Sequence, residues 1–116
     1  GLTDVDACET NEDIAQKIHS DAAEYFSKEC LSNKIKFVLI STDHLWDGTK
    51  SLMCEDDPLR PINAYARTKA DGERRVKKIN PEALIIRTNF YGKGLPWRKS
   101  ISDWMVEKLL AREKKQ

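Results

Sequence analysis

The chain has 116 residues, 40% hydrophobic and 34% charged, which suits one globular unit and excludes a disordered tail. Twenty Lys+Arg against nineteen Asp+Glu leave a formal charge of +1, so no overall field points to nucleic acid or an anionic membrane as partner. No apolar run approaches the roughly 20 residues of a membrane span. The acidic start GLTDVDACETNED lacks the basic-then-apolar layout of a signal peptide, so a cytoplasmic location is expected. Cys8, Cys30 and Cys54 are widely spaced, with only His19 and His44 as soft companions. They read as reduced thiols, and no metal site is expected.

In chain order, Ile14, Ile18, Ala22, Tyr25 and Phe26 recur at helical spacing and predict a helix over 10–31 with these residues inward. Thr10 and Asp13 resemble a capping box at its start, and Ser32-Asn33 ends it. Phe37–Ile40 is apolar on both faces, as in a doubly covered strand of a parallel sheet, and stops at the polar Ser41-Thr42-Asp43-His44. A long stretch with Asp47-Gly48, Pro58 and Pro61 follows. A second helix is predicted over 62–79, ended by Asn80-Pro81, and a second buried strand over Ala83–Ile86. After the turn-rich YGKGLP segment, Ser100 and Asp103 mark the start of a last helix with Ile101, Trp104, Met105, Leu109 and Leu110 inward.

The order helix-strand-helix-strand-helix predicts an α/β fold, a partial Rossmann-like parallel sheet with flanking helices, formed by 1–116 as a single unit. Its two strands, joined by a helix, should be parallel. Two strands cannot bury three amphipathic helices, so the chain reads as the central and later part of a larger sheet whose earlier strands are missing. Its unpaired inner edge predicts marginal stability or association into a homo-oligomer.

Ligands of open parallel sheets bind outside the carboxyl ends of the strands. Both ends here are polar, and Tyr65 and Lys69, four residues apart, share one face of the connecting helix. An ammonium beside a phenol favours the phenolate, and a tyrosine tuned this way exchanges a proton with a substrate oxygen. Thr42, at the first strand tip, is placed to hydrogen-bond that oxygen. Alone, Y-x-x-x-K describes a surface tyrosine lying along a lysine stem just as well. What changes the reading is the ordered series: a strand ending in Ser-Thr-Asp, an Asp-Gly loop, a proline-bearing segment, then Y-x-x-x-K. Other constellations read as ordinary structure. Ser41, Asp43 and His44 are nearly consecutive and lack a nucleophile elbow, so they form a strand-end cap rather than a hydrolase triad. Arg74-Arg75 with Lys77-Lys78 is a solvated face near a helix C-terminus. Asp56-Asp57 is a polar turn. Trp104 is expected in the core, and Trp46 and Trp97 in loops that could line a sugar pocket.

The ordered stretches are Thr3–Asp6 with Cys8-Glu9, Phe37–Asp43, Trp46–Thr49, Glu55–Pro58, Pro61–Lys69, Gly72-Glu73 and Ile86–Gly92. In them the sequence resembles the extended short-chain dehydrogenase/reductase superfamily, and within it the dTDP-4-dehydrorhamnose reductase family, over nearly the whole chain. The resemblance implies NAD(P)-dependent reduction of a 4-keto group on a nucleotide-activated deoxysugar, with NADP or NAD as cofactor and a nucleotide sugar as substrate. It implies Tyr65 as catalytic acid, Lys69 binding the nicotinamide ribose, and Thr42 completing the triad. It also implies Asp43 and Phe90 at the substrate, with Gly1 and Leu2 along the cofactor. A related epimerase or dehydratase, or a non-catalytic regulatory or scaffolding subunit, are the alternatives.

Three departures from the family pattern bear on this. The glycine-rich turn that cradles a pyrophosphate is absent, and Gly92-Lys93-Gly94 is an ordinary turn. The cofactor site is therefore incomplete in this chain, and the segment alone is expected to be inactive. His19 stands where family members commonly carry Asn, and His44 where they commonly carry Tyr.

Overall fold

The structure is a computed structural model that describes residues 2–97 and 99–113. It contains helices α1 (Val5–Thr10), α2 (Glu12–Gln16) and α3 (Ala22–Ser32), strand β1 (Val38–Ser41), helix α4 (Ala64–Ile79), strand β2 (Leu84–Arg87) and helix α5 (Ile101–Glu113). The strands pair in parallel, Val38 opposite Leu84 and Ser41 opposite Arg87, so the expected strand-helix-strand unit is present. Asn63 starts α4 by accepting the Ala66 N–H, and Asn80 ends it. Ser100 and Asp103 form the expected reciprocal cap of α5: the Ser100 N–H donates to Asp103 and the Asp103 N–H to Ser100 Oγ. Asp103 also takes the Gly94 N–H at 2.7 Å, which fixes the preceding turn.

The N-terminal helix differs from expectation at its start. Asp4 caps it, accepting the Ala7 N–H at 2.9 Å, whereas the Thr10 hydroxyl turns back to the Asp6 carbonyl. The helix breaks at Asn11, resumes at Glu12 and widens into a π-turn over Lys17–Asp21 before α3. A π-turn inserts a residue and breaks the 3.6-residue period. Consecutive His19 and Ser20 are consequently both buried against α4, where Ser20 Oγ donates to the Thr68 carbonyl at 2.7 Å.

The buried face of this helix is also not the one the apolar spacing marks. Ala15, Ser20, Ala23 and Ser27 face inward, while Ile14, Ile18, Tyr25 and Phe26 are exposed. The cause is the close approach of α4. A Cβ placed on Gly72 would lie 2.5 Å from the His19 carbonyl oxygen, so only small side chains fit between the helices. Arg75 then bridges them at their rim, paired with Asp21 and Glu24 at 2.9 Å and with Asp71 at 2.6 Å. The expected solvated basic face is in this part an inter-helix clamp.

Core packing is confined to one side of the sheet, where Phe37 and Leu39 rest on Ala23, Val76 and Ala83. Val38, Ile40, Leu84 and Ile86 are exposed on the other side, so β1 is covered on one face rather than two within the described residues. Ile101, Trp104, Met105, Leu109 and Leu110 are each more than half exposed, and Trp104 is not a core residue. Among the described residues no helix is long and apolar enough to cross a membrane.

Candidate active site

β1 delivers its carboxyl end to the middle of α4. The Lys69 ammonium donates to the Ile40 carbonyl at 2.7 Å, anchoring the helix to the last turn of the strand. Burial holds the Lys69 pKa below its ordinary value, and the nearby Glu73 carboxylate opposes that shift. Just past the end of β1, Thr42 is buried and its hydroxyl oxygen accepts the His44 N–H at 3.2 Å. The His44 ring in turn meets the Tyr65 ring edge-on, 6.3 Å between centroids. Thr42 and Tyr65 are thus each in contact with His44, and Lys69, four residues after Tyr65 on α4, is anchored on β1. Asp43 sits beside them, exposed, with its carboxylate 3.6 Å from His44 Nε2.

The other flank of Tyr65 belongs to His19 and Leu2. His19 meets the tyrosine ring at 5.4 Å and 89°. Its Nε2 lies 2.8 Å from the Leu2 carbonyl and its Nδ1 2.8 Å from Thr68 Oγ. A carbonyl only accepts, so Nε2 carries a proton, while the single Thr68 hydroxyl proton is shared among Nδ1 and the Ala64 and Tyr65 carbonyls, 2.8 and 3.0 Å from Thr68 Oγ. Burial, reinforced by the Lys69 charge, pushes the His19 pKa down; the Leu2 carbonyl works against that shift. Leu2 and Tyr65 pack on the same small core of Cys8, Ala15 and Ala64. Burial raises the Cys8 thiol, with Asp4 and Glu9 adding to the effect. Gly1 lies outside the described residues. Phe90 lies beyond the end of β2 and is 74% exposed, so it is not drawn into the cluster around Tyr65.

A second set of residues supports the loop after β1; the sequence pointed to Trp46 and the polar end of β2 but not to the links among them. Arg87 at the tip of β2 donates through Nε and Nη2 to the buried Glu73 carboxylate, closest at 2.8 Å, and through Nη1 to the Glu55 carbonyl at 2.8 Å. Its guanidinium lies 5.2 Å from the centroid of the Trp46 ring. Trp46 is therefore held at the strand ends, with its indole N–H buried and without a hydrogen-bond partner among the described residues. Trp97 is exposed. The available signal was spacing: Glu73 follows Lys69 by four residues and so shares its helix face. Among the described residues no group of three or more His, Cys, Asp or Glu is arranged to hold a metal ion.

Residues 1–115 match the family described as the RmlD substrate binding domain. The chain belongs to the RmlD substrate binding domain family. Among curated relatives, this RmlD-family chain is 40% identical over 92 residues to the probable low-salt glycan biosynthesis reductase Agl14 of Haloferax volcanii, covering 78% of this chain and 31% of that protein. It is 34% identical over 82 residues to the methionine adenosyltransferase 2 subunit beta of Pongo abelii, covering 71% of this chain and 25% of that protein. A solved dTDP-4-dehydrorhamnose reductase from Clostridium acetobutylicum matches with a TM-score of 0.78 and 33% identity, over 100% of this chain and 39% of that one. Another, from Bacillus anthracis in complex with NADP, matches with a TM-score of 0.79 and 28% identity, over 100% of this chain and 40% of that one. The fold is therefore a partial Rossmann-like RmlD fold, and the chain spans less than a third of the length of these two curated relatives.

Proposed function

We propose that this chain carries the catalytic acid and the substrate-facing strand ends of an NAD(P)-dependent reductase. Its substrate is the 4-keto group of a nucleotide-activated deoxysugar. The observation that carries the reading is the anchoring of Lys69 on the Ile40 carbonyl, with Thr42 and Tyr65 each in contact with His44. Similarity to a dTDP-4-dehydrorhamnose reductase in complex with NADP supports it.

The donor set fits the nicotinamide-ribose end of such a cofactor. Lys69 spends one of its three N–H donors on Ile40 and keeps two that suit a ribose diol. Leu2 packs on the same small core as Tyr65, and Leu2 and Gly1 are assigned to the cofactor. When bound, the reduced nicotinamide supplies a hydride to the sugar C4. Tyr65 gives its phenolic proton to the C4 oxygen, so the ketone becomes an alcohol, and the Lys69 ammonium stabilises the phenolate left behind. The Thr42 hydroxyl hydrogen-bonds the same oxygen and orients the carbonyl toward Tyr65. Asp43 and Phe90 are assigned to the sugar nucleotide. In this reading, 1–116 is the central to C-terminal part of the dinucleotide-binding unit, and the reductase is cytoplasmic.

Titration of the longest natural form of the polypeptide with NADH and NADPH, followed by tryptophan fluorescence, tests the cofactor assignment. Saturable binding that weakens at least tenfold in Lys69→Ala is expected. Binding unaffected by Lys69→Ala contradicts it. The similarity to a methionine adenosyltransferase subunit favours a second reading, in which the fold serves as a subunit of another enzyme. That reading predicts nucleotide binding without turnover of any 4-keto sugar nucleotide.

A further inference from the structure

The first residue of α4, Ala64, immediately precedes Tyr65, and its N–H is one of the donors that a helix start leaves without an intrahelical partner. The local cap cannot serve it, because the Asn63 side chain is committed to the Ala66 N–H at 2.8 Å. The acceptor comes instead from 55 residues away: Glu9 Oε2 takes the Ala64 N–H at 2.6 Å. The other oxygen of the same carboxylate stands 3.5 Å from Arg67, which Glu12 engages through two further hydrogen bonds of 3.0 and 3.1 Å. Beside Glu9, Cys8 is fully buried in the small core on which Leu2 and Tyr65 both pack.

We propose that Glu9 is a positioning residue for Tyr65. Its carboxylate pins the first turn of α4 to α1, and so sets the tyrosine relative to Leu2. A carboxylate suits the place twice over. It forms a charge-assisted hydrogen bond, stronger than a neutral one, and it lies at the positive end of the α4 dipole. Glu9 is itself half-exposed and adds little apolar packing, so its removal acts mainly by freeing the Ala64 N–H and the turn that carries Tyr65. Placing it in catalysis rests on the reductase reading above; the anchoring does not.

Two readouts separate these claims. The first is amide hydrogen exchange at Ala64, compared in the parent, Glu9→Ala and Glu9→Gln, each in the longest natural form of the polypeptide. Glu9→Ala should speed exchange about tenfold or more, and Glu9→Gln, which keeps an acceptor, clearly less. Equal exchange in all three overturns the anchoring.

The second readout is turnover of a 4-keto sugar nucleotide with NADPH. Glu9→Ala should lower kcat about 10- to 100-fold, with the KM for NADPH within about twofold and substantial recovery in Glu9→Gln. Glu12→Ala, which removes a neighbouring charge but not the cap, should stay within about twofold of the parent. A parental kcat in Glu9→Ala, alongside an inactive Tyr65→Phe, overturns the positioning role and leaves the reductase reading intact. A fully active Tyr65→Phe overturns the reductase reading, while the exchange measurement still decides the anchoring.

Discussion

The imidazole of His19 stands edge-on to the ring of Tyr65, 5.4 Å between centroids, while its Nε2 holds the Leu2 carbonyl at 2.8 Å. One side chain thus joins the N-terminal segment to the helix that carries the proposed acid. It reaches that position because the π-turn brings His19 and Ser20 to the same side.

This contact makes stability depend on pH. The folded state holds the His19 pKa below its ordinary 6.5, so on acidification through that value the unfolded chain takes up a proton that the folded chain refuses. Stability contributed by neutral His19 is therefore present above that range and lost as pH falls. The melting temperature should drop between about pH 7.5 and 5, above the range in which the low-lying carboxylates titrate. Thermal melts of His19→Asn should show a flatter slope in that window. An unchanged slope in the variant contradicts the assignment.

Lys69 presents the opposite trade between stability and activity. Its folded pKa lies below the ordinary 10.5, so the folded state disfavours its charge at neutral pH, and stability rises as pH climbs toward 10.5. Lys69→Met should therefore melt at or above the parent temperature while losing reductase turnover. A large fall in melting temperature would show that the bond to Ile40 outweighs the burial of the charge.

Close packing at Gly72 is tested by Gly72→Ala. Alanine favours a helix by about 1 kcal/mol over glycine. Here, however, the added methyl would sit 2.5 Å from the His19 carbonyl oxygen, which is backbone and cannot rotate away. A net loss of about 1–3 kcal/mol in urea denaturation is expected. A gain in stability would mean that the two helices separate at little cost.

The Arg87–Glu73 pair leaves its carboxylate only 5% exposed. Arg87→Met strands that charge, with an expected loss of about 3–5 kcal/mol by denaturant titration. Adding Glu73→Gln should recover much of the loss, because the stranded charge is removed. The single variant should also release Trp46, seen as a shift in its fluorescence.

The elements that position the site were legible because each carries a local signal. Asn80-Pro81 ends α4, two apolar runs end at polar strand tips, and Tyr65 and Lys69 share a face at i, i+4, whereas the Asn63 cap lies inside the helix start expected at 62. The inward face of the N-terminal helix was not legible. It is lined by Ala15, Ser20, Ala23 and Ser27, residues with no hydrophobic signature, because helix contact there is limited by backbone approach rather than apolar volume. The π-turn then shifts the register that periodicity depends on. The link from Glu9 to Ala64 leaves no trace in spacing along the chain, and the spacing of Glu73 from Lys69 gives its helix face but not its Arg87 partner. Trp104 and its apolar neighbours on α5 follow a helical period yet stay exposed, because periodicity marks a face that wants burial without saying what covers it.

The most direct test of the central claim is turnover of a 4-keto, nucleotide-activated deoxysugar with NADPH by the longest natural form of the polypeptide, parent against Tyr65→Phe. Oxidation of the nicotinamide is followed together with melting temperature. The account predicts turnover in the parent and a loss of at least about 100-fold in the variant, with melting temperature nearly unchanged, since only one hydroxyl is removed. Parental turnover in Tyr65→Phe would contradict it.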